Sequence, residues 1–153
     1  KSGISRRQDP GENARKPQRL LLTWLVDEPQ LYRKIRQYIS PEDFTEEFYR
    51  EVAALAFEEY GKTGNVNPAR IINRFESREQ QTEAAELFST QLPAPMDEAQ
   101  RRREFADTVV RVKQNSLQIQ YEKAVEQNDF TALQGIMEKQ KGLGKLHSSL
   151  NPG

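Results

Sequence analysis

The chain has 153 residues, 30% of them charged and 35% hydrophobic, with 23 basic and 23 acidic side chains. That length allows one buried core, or one core plus a small appendage, and the polar balance suits thin helical layers better than a thick two-sided sheet. There is no cysteine, which excludes disulfides and thiolate metal sites and fits a cytoplasmic setting; no apolar run nears the roughly 20 residues of a membrane span, and the first residues lack the apolar stretch of a signal peptide.

Residues 1–16 hold Gly3, Pro10 and Gly11, with Ile4 as the only large apolar side chain. Such a stretch buries too little to offset its ordering entropy, so 1–16 reads as a flexible linker stub of something longer. Order is expected from Pro17. Leu20, Leu21, Leu22, Trp24, Leu25 and Val26 mark a first core helix. A second starts at Pro29, a residue suited to a first helical position, and carries Leu31, Ile35, Tyr38 and Ile39 on one face until Ser40-Pro41 breaks it.

The third helix has Thr45 as its expected N-cap and Gly61 as its expected terminator. Phe48, Val52, Leu55, Ala56 and Tyr60 form its stripe. Asn67-Pro68 opens a fourth, with Ile71, Ile72 and Phe75 inward. Ser77 and Gln80 make a capping box for a fifth, whose core face is Ala84, Leu87 and Phe88 and which Pro93 and Pro95 stop. Asp97 and Gln100 then open a sixth helix that meets no proline or glycine before Gly135. At about 1.5 Å per residue it reaches roughly 45 Å, longer than the roughly 30 Å diameter of a compact domain of this size. Phe105, Val109, Val112, Ser116 and Ile119 share one face of it, whereas Leu117, Tyr121, Ala124 and Val125 share another. The first half is therefore expected on the core and the second half on a further helix. Asn128-Asp129 supplies the turn, and Phe130, Leu133, Ile136, Met137 and Gln140 supply that helix. The fold class is all-α: a bundle of five to six helices over residues 17–116, and a hairpin over 117–150 that continues the long helix from about residue 98. Gly142 and Gly144 are expected to weaken its end, and the tail from Ser148 to fray.

Little in the chain resembles catalytic or metal chemistry. Gly61-Lys62-Thr63 echoes the end of a phosphate loop, but the required earlier glycine is Ala56 and no strand precedes it. Glu46/Glu47 and Glu58/Glu59 lack the inward histidines of a carboxylate-bridged site, because the single histidine is His147, expected as an exposed tail residue. No catalytic, cofactor-binding or metal residue is therefore assigned, and no cofactor is expected. Residues 20–100 carry eight basic and fifteen acidic side chains, which argues against a nucleic-acid face on the bundle. Arg101, Arg102 and Arg103 read as solvated or paired with that acidic body, and Trp24, among leucines, as core.

Leu20-Leu21-Leu22, then Asp27-Glu28-Pro29-Gln30-Leu31, then Ser40-Pro41-Glu42-Asp43-Phe44, closely resembles the C-terminal domain of bacterial DnaG-type primases. The long sixth helix and Gln127-Asn128-Asp129-Phe130 extend the resemblance over most of 17–150. It implies a non-catalytic domain that binds the N-terminal region of the hexameric replicative helicase in the cytoplasm, with a helical hairpin as docking element and a bundle that modulates the helicase. It implies neither membrane nor direct nucleic-acid binding. Carried onto this chain, the docking residues are Tyr121, Val125, Phe130, Leu133, Ile136 and Met137. Two alternatives remain: the N-terminal domain of the helicase itself, which resembles the same bundle but tends to lead with an acidic helix, and a helical DNA-binding module, for which residues 67–76 supply no basic recognition helix.

Overall fold

A computed structural model describes residues 10–89 and 97–151. Residues 1–9 of the expected linker, and the prolines Pro93 and Pro95 expected to end the fifth helix, lie outside them. The helices are α1 (Pro10–Asp27), α2 (Leu31–Ile35), α3 (Glu47–Thr63), α4 (Pro68–Arg74), α5 (Arg78–Phe88), α6 (Glu98–Glu126), α7 (Phe130–Lys141) and α8 (Leu143–Leu150), with a short 3-10 turn at Pro41–Asp43; no strand occurs among the described residues. The chain is an all-α bundle extended by a hairpin.

The apolar runs act as periodicity requires. Leu21, Leu22, Trp24 and Leu25 of α1 are buried against Tyr32 and Ile35 of α2, Val52, Ala53 and Ala56 of α3, Ile71 of α4, Ala84 and Leu87 of α5, and Phe105, Val109 and Val112 of α6. Trp24 meets Phe105 edge-on with ring centroids 5.8 Å apart, and Tyr32 stacks on Tyr60 at 5.0 Å. Helix α1 begins at Pro10, seven residues before the expected onset at Pro17, and runs through that proline.

Capping decides several boundaries. Asn67, Ser77 and Asp97 accept from the backbone N–H groups of Ala69, Gln80 and Gln100, as their spacing predicts. Thr45 does not cap α3. Its hydroxyl takes a 2.7 Å hydrogen bond from Gln18 Nε2, and Gln18 Oε1 accepts from the backbone N–H of Glu46 at 3.3 Å. A fully buried glutamine of α1 thus serves the start of α3. Nor does Gly61 end that helix, which continues to Thr63 and stops at Gly64, whose φ of 76° is the left-handed value that favours glycine.

Helix α6 has 29 residues, about 44 Å at about 1.5 Å per residue. Its midpoint is fastened to the bundle by Asp43. One carboxylate oxygen accepts from Ser116 Oγ at 2.7 Å, the other from the backbone N–H of Ser40 at 3.0 Å, and Lys113 Nζ lies 3.2 Å from both. Beyond Ser116 the buried face switches to Leu117 and Ala124.

Candidate partner-binding face

The hairpin turn is built from two adjacent residues. Asn128 adopts φ 54°, in the left-handed region that asparagine tolerates. The N–H of Asp129 reaches Ala124 O at 2.9 Å and that of Asn128 reaches Val125 O at 3.1 Å, the paired bonds that close a helix C-terminus. Asp129 then caps α7 by accepting from Ala132 N at 3.1 Å. The chain reverses within three residues, so α7 runs back along α6.

A small second core holds the two helices together: buried Leu117, Ala124 and Ile136, with Tyr121, Ala132, Leu133 and Leu143 packed against it. The six side chains singled out in the sequence therefore divide. Ile136 is interior and Tyr121 and Leu133 are half-buried, whereas Phe130 is 73% exposed, Val125 48% and Met137 47%. At about 100° per residue, Phe130, Leu133 and Met137 fall on one flank of α7, and Val125 lies on the same side of the antiparallel partner helix. Three exposed apolar side chains thus share one side of the hairpin.

Ile119 departs from expectation. Its spacing places it with the core stripe of the long helix, yet it is 50% exposed. The switch of face comes at Ser116, one turn earlier than the stripe implied, because the bonds to Asp43 bring Ser116 to the bundle while Leu117 already faces α7.

The C-terminus also differs. Residues 143–150, expected to be weakened by glycine and frayed from Ser148, form α8. Its Leu146 and Leu150 are 6% and 5% exposed and belong to the core of the bundle. His147, expected in an exposed tail, is half-buried with Nε2 2.7 Å from Asp107 Oδ1. Tyr38 Oη and Ser149 Oγ are 3.3 Å apart. The glycines permit this because neither needs a positive φ: Gly142 sits at φ −82° in the right-handed helical region. Leu143, Leu146 and Leu150, spaced one helical stripe apart, were the available signal.

Other sequence features are accounted for locally. Glu58 pairs with Lys62 at 3.4 Å and Arg74 at 3.7 Å. Thr63 Oγ donates to Glu59 O within the last turn of α3. Arg101 pairs with Glu28 and lies 4.9 Å above the Trp24 ring, and Arg102 pairs with Glu98 at 3.7 Å. Among the described residues no group of three or more histidine, aspartate or glutamate side chains is placed to hold a metal ion, and no helix is long and apolar enough to cross a membrane. One titratable group stands out. Burial raises the Tyr32 phenol far above its ordinary value, and the charge of Glu59 adds to the shift.

The class is set by the fold, an all-α bundle whose longest helix carries a hairpin beyond it. A family model described as DNA primase DnaG DnaB-binding matches residues 18–141, and the chain belongs to that family. No curated protein and no solved structure matches it significantly.

Proposed function

We propose that this chain is the helicase-docking part of a bacterial DnaG-type primase, and that the hairpin side bearing Val125, Phe130 and Met137 seats on the N-terminal region of the hexameric DnaB-type helicase. Residues 17–116 then act as the bundle that modulates the helicase, and the hairpin of 117–150 as the docking element. Primer synthesis would be coupled to unwinding through this contact. The domain itself contributes binding and not catalysis.

The observation that carries this reading is the division of the hairpin's apolar residues. Leu117, Ala124 and Ile136, with Tyr121, Ala132, Leu133 and Leu143 packed against them, form the core between α6 and α7, and the exposure of Phe130, Val125 and Met137 leaves apolar surface outside that core. Large side chains on a rigid helical surface are the usual anchors of a helix-mediated interface.

Docking that buries the exposed parts of Phe130 and Met137 would contribute together about 3 kcal/mol, about a hundredfold in Kd. The test is isothermal calorimetry with a DnaB-type helicase hexamer, comparing the unaltered chain with Phe130→Ser/Met137→Ser. Both positions are exposed, so the circular dichroism spectrum and melting temperature should hold while affinity falls by at least tenfold. Unchanged affinity in the folded double variant would remove the hairpin from the interface.

A further inference from the structure

The opposite side of the hairpin has a different chemistry. Gln120, Lys123 and Gln127 of α6 face Ala132, Gly135 and Lys139 of α7 across a groove of about 370 Å³. At the elbow between α7 and α8 a second groove of about 410 Å³ is bounded by Tyr38, Lys113, Lys139, Leu143, Lys145 and Leu146. Lys139 borders both, so the two grooves adjoin at that side chain as the two arms of a trough.

The charge on this trough is one-sided. Four lysines line it, Lys113, Lys123, Lys139 and Lys145, against one carboxylate, Asp129. Asp129 is already engaged as the cap of α7. Lys113 is paired with Asp43, whereas Lys123, Lys139 and Lys145 have no carboxylate partner among the described residues. The chain as a whole is neutral, so this concentration of cations is local. Its floor is apolar at the elbow, where Leu143 and the largely buried Leu146 lie beside the half-buried Tyr38.

We propose that this trough binds an acidic peptide segment of a protein partner, with carboxylates on Lys123, Lys139 and Lys145 and an apolar side chain seated against Leu143 and Leu146. Charge complementarity selects the class of occupant. Three unpaired ammonium groups spaced along a groove favour a chain of carboxylates, and the elbow floor offers an apolar anchor that a phosphate backbone does not use. A single-stranded nucleic acid would instead use stacking aromatics beside its phosphate contacts, and the trough has one aromatic, Tyr38, whose hydroxyl already meets Ser149. Because the trough lies opposite Val125, Phe130 and Met137, a partner held there leaves that side of the hairpin uncovered. The proposal rests on these lysines and not on the docking reading above.

The test is fluorescence anisotropy with a labelled peptide of repeated Glu-Glu-Leu, titrated with the chain at low and moderate salt. A peptide with serine in place of leucine and an oligothymidylate are the comparison probes. The Glu-Glu-Leu peptide should bind, more weakly at the higher salt, and the serine peptide should bind at least fivefold more weakly. Lys139→Glu/Lys145→Glu should lose at least tenfold, and Lys139→Gln/Lys145→Gln should fall between it and the unaltered chain, with melting temperatures preserved because both positions are exposed. Absence of submillimolar peptide binding overturns the proposal, as does equal binding by the charge-reversed variant. Tighter binding of the oligothymidylate through the same lysines would overturn it in favour of a nucleic-acid groove.

Discussion

Asp43→Ala removes the fastening between the bundle and the middle of α6, and its cost follows from what is left behind. The Asp43 side chain is 6% exposed and that of Lys113 16%. The substitution leaves the Ser116 hydroxyl, the Ser40 N–H and the Lys113 ammonium without the carboxylate that serves all three. Breaking a buried pair from one side costs about 3–5 kcal/mol. Lys113 has a long stem that can carry its charge toward water, which places the loss near about 3 kcal/mol, about 6–12 °C in Tm for a domain of this size. Urea and thermal unfolding followed by circular dichroism at 222 nm measure it directly. A cycle with Lys113→Met isolates the ion pair: the lysine substitution should be costly in the unaltered chain and nearly neutral once Asp43 is alanine. A loss below about 1 kcal/mol, or additive effects of the two substitutions, would refute the claim that this carboxylate organises the junction.

Three further outcomes follow from burial and backbone geometry. The buried Tyr32 hydroxyl has no hydrogen-bond partner among the described residues, so Tyr32→Phe should leave stability unchanged or raise it by up to about 1 kcal/mol in urea unfolding at pH 8. The same phenol stays protonated in the folded chain but ionises near pH 10 when unfolded. Its contribution is therefore complete below about pH 10 and lost above it, and Tyr32→Phe should flatten the fall in urea midpoint between about pH 10 and pH 12. Gly144 lies within α8 with open space where a Cβ would stand. Gly144→Ala should therefore stabilise by about 0.5–1 kcal/mol, read as a rise in Tm; destabilisation would mean that α8 is not helical there.

The helices with strong stripes were legible because one face is buried along their length, as with Val52 and Ala56 of α3 or Phe105, Val109 and Val112 of α6. The caps at Asn67, Ser77 and Asp97 were legible because each is a local bond between residues two or three apart. What escaped depends on distant partners. Thr45 has the chemistry of an N-cap, but Gln18, 27 positions away, occupies its hydroxyl. The role of Asp43 has no local signal, because Lys113 and Ser116, which come against it, lie about seventy positions away in the chain. In the candidate face, spacing identified the hairpin and its apolar residues, but which of them are interior depends on how α7 lies on α6. That divides Ile136 from Phe130, although both belong to one amphipathic pattern.

The route of α8 bears on how the hairpin can act. Matching to the family ends at residue 141, just before the helix that returns to the bundle. Leu143 packs against both cores, and Leu146 and Leu150 lie in the larger one. The elbow is thereby tied to the bundle at a second place besides the Asp43 junction. Swinging the hairpin away would expose Leu146 and Leu150, about 2 kcal/mol each and about 4 kcal/mol together. A detached arrangement would then be populated at about one part in a thousand in the free chain. Under the proposed docking, a partner seated on Val125, Phe130 and Met137 would therefore meet a hairpin already held in one orientation. Its binding energy is not diminished by ordering two bodies joined only through α6.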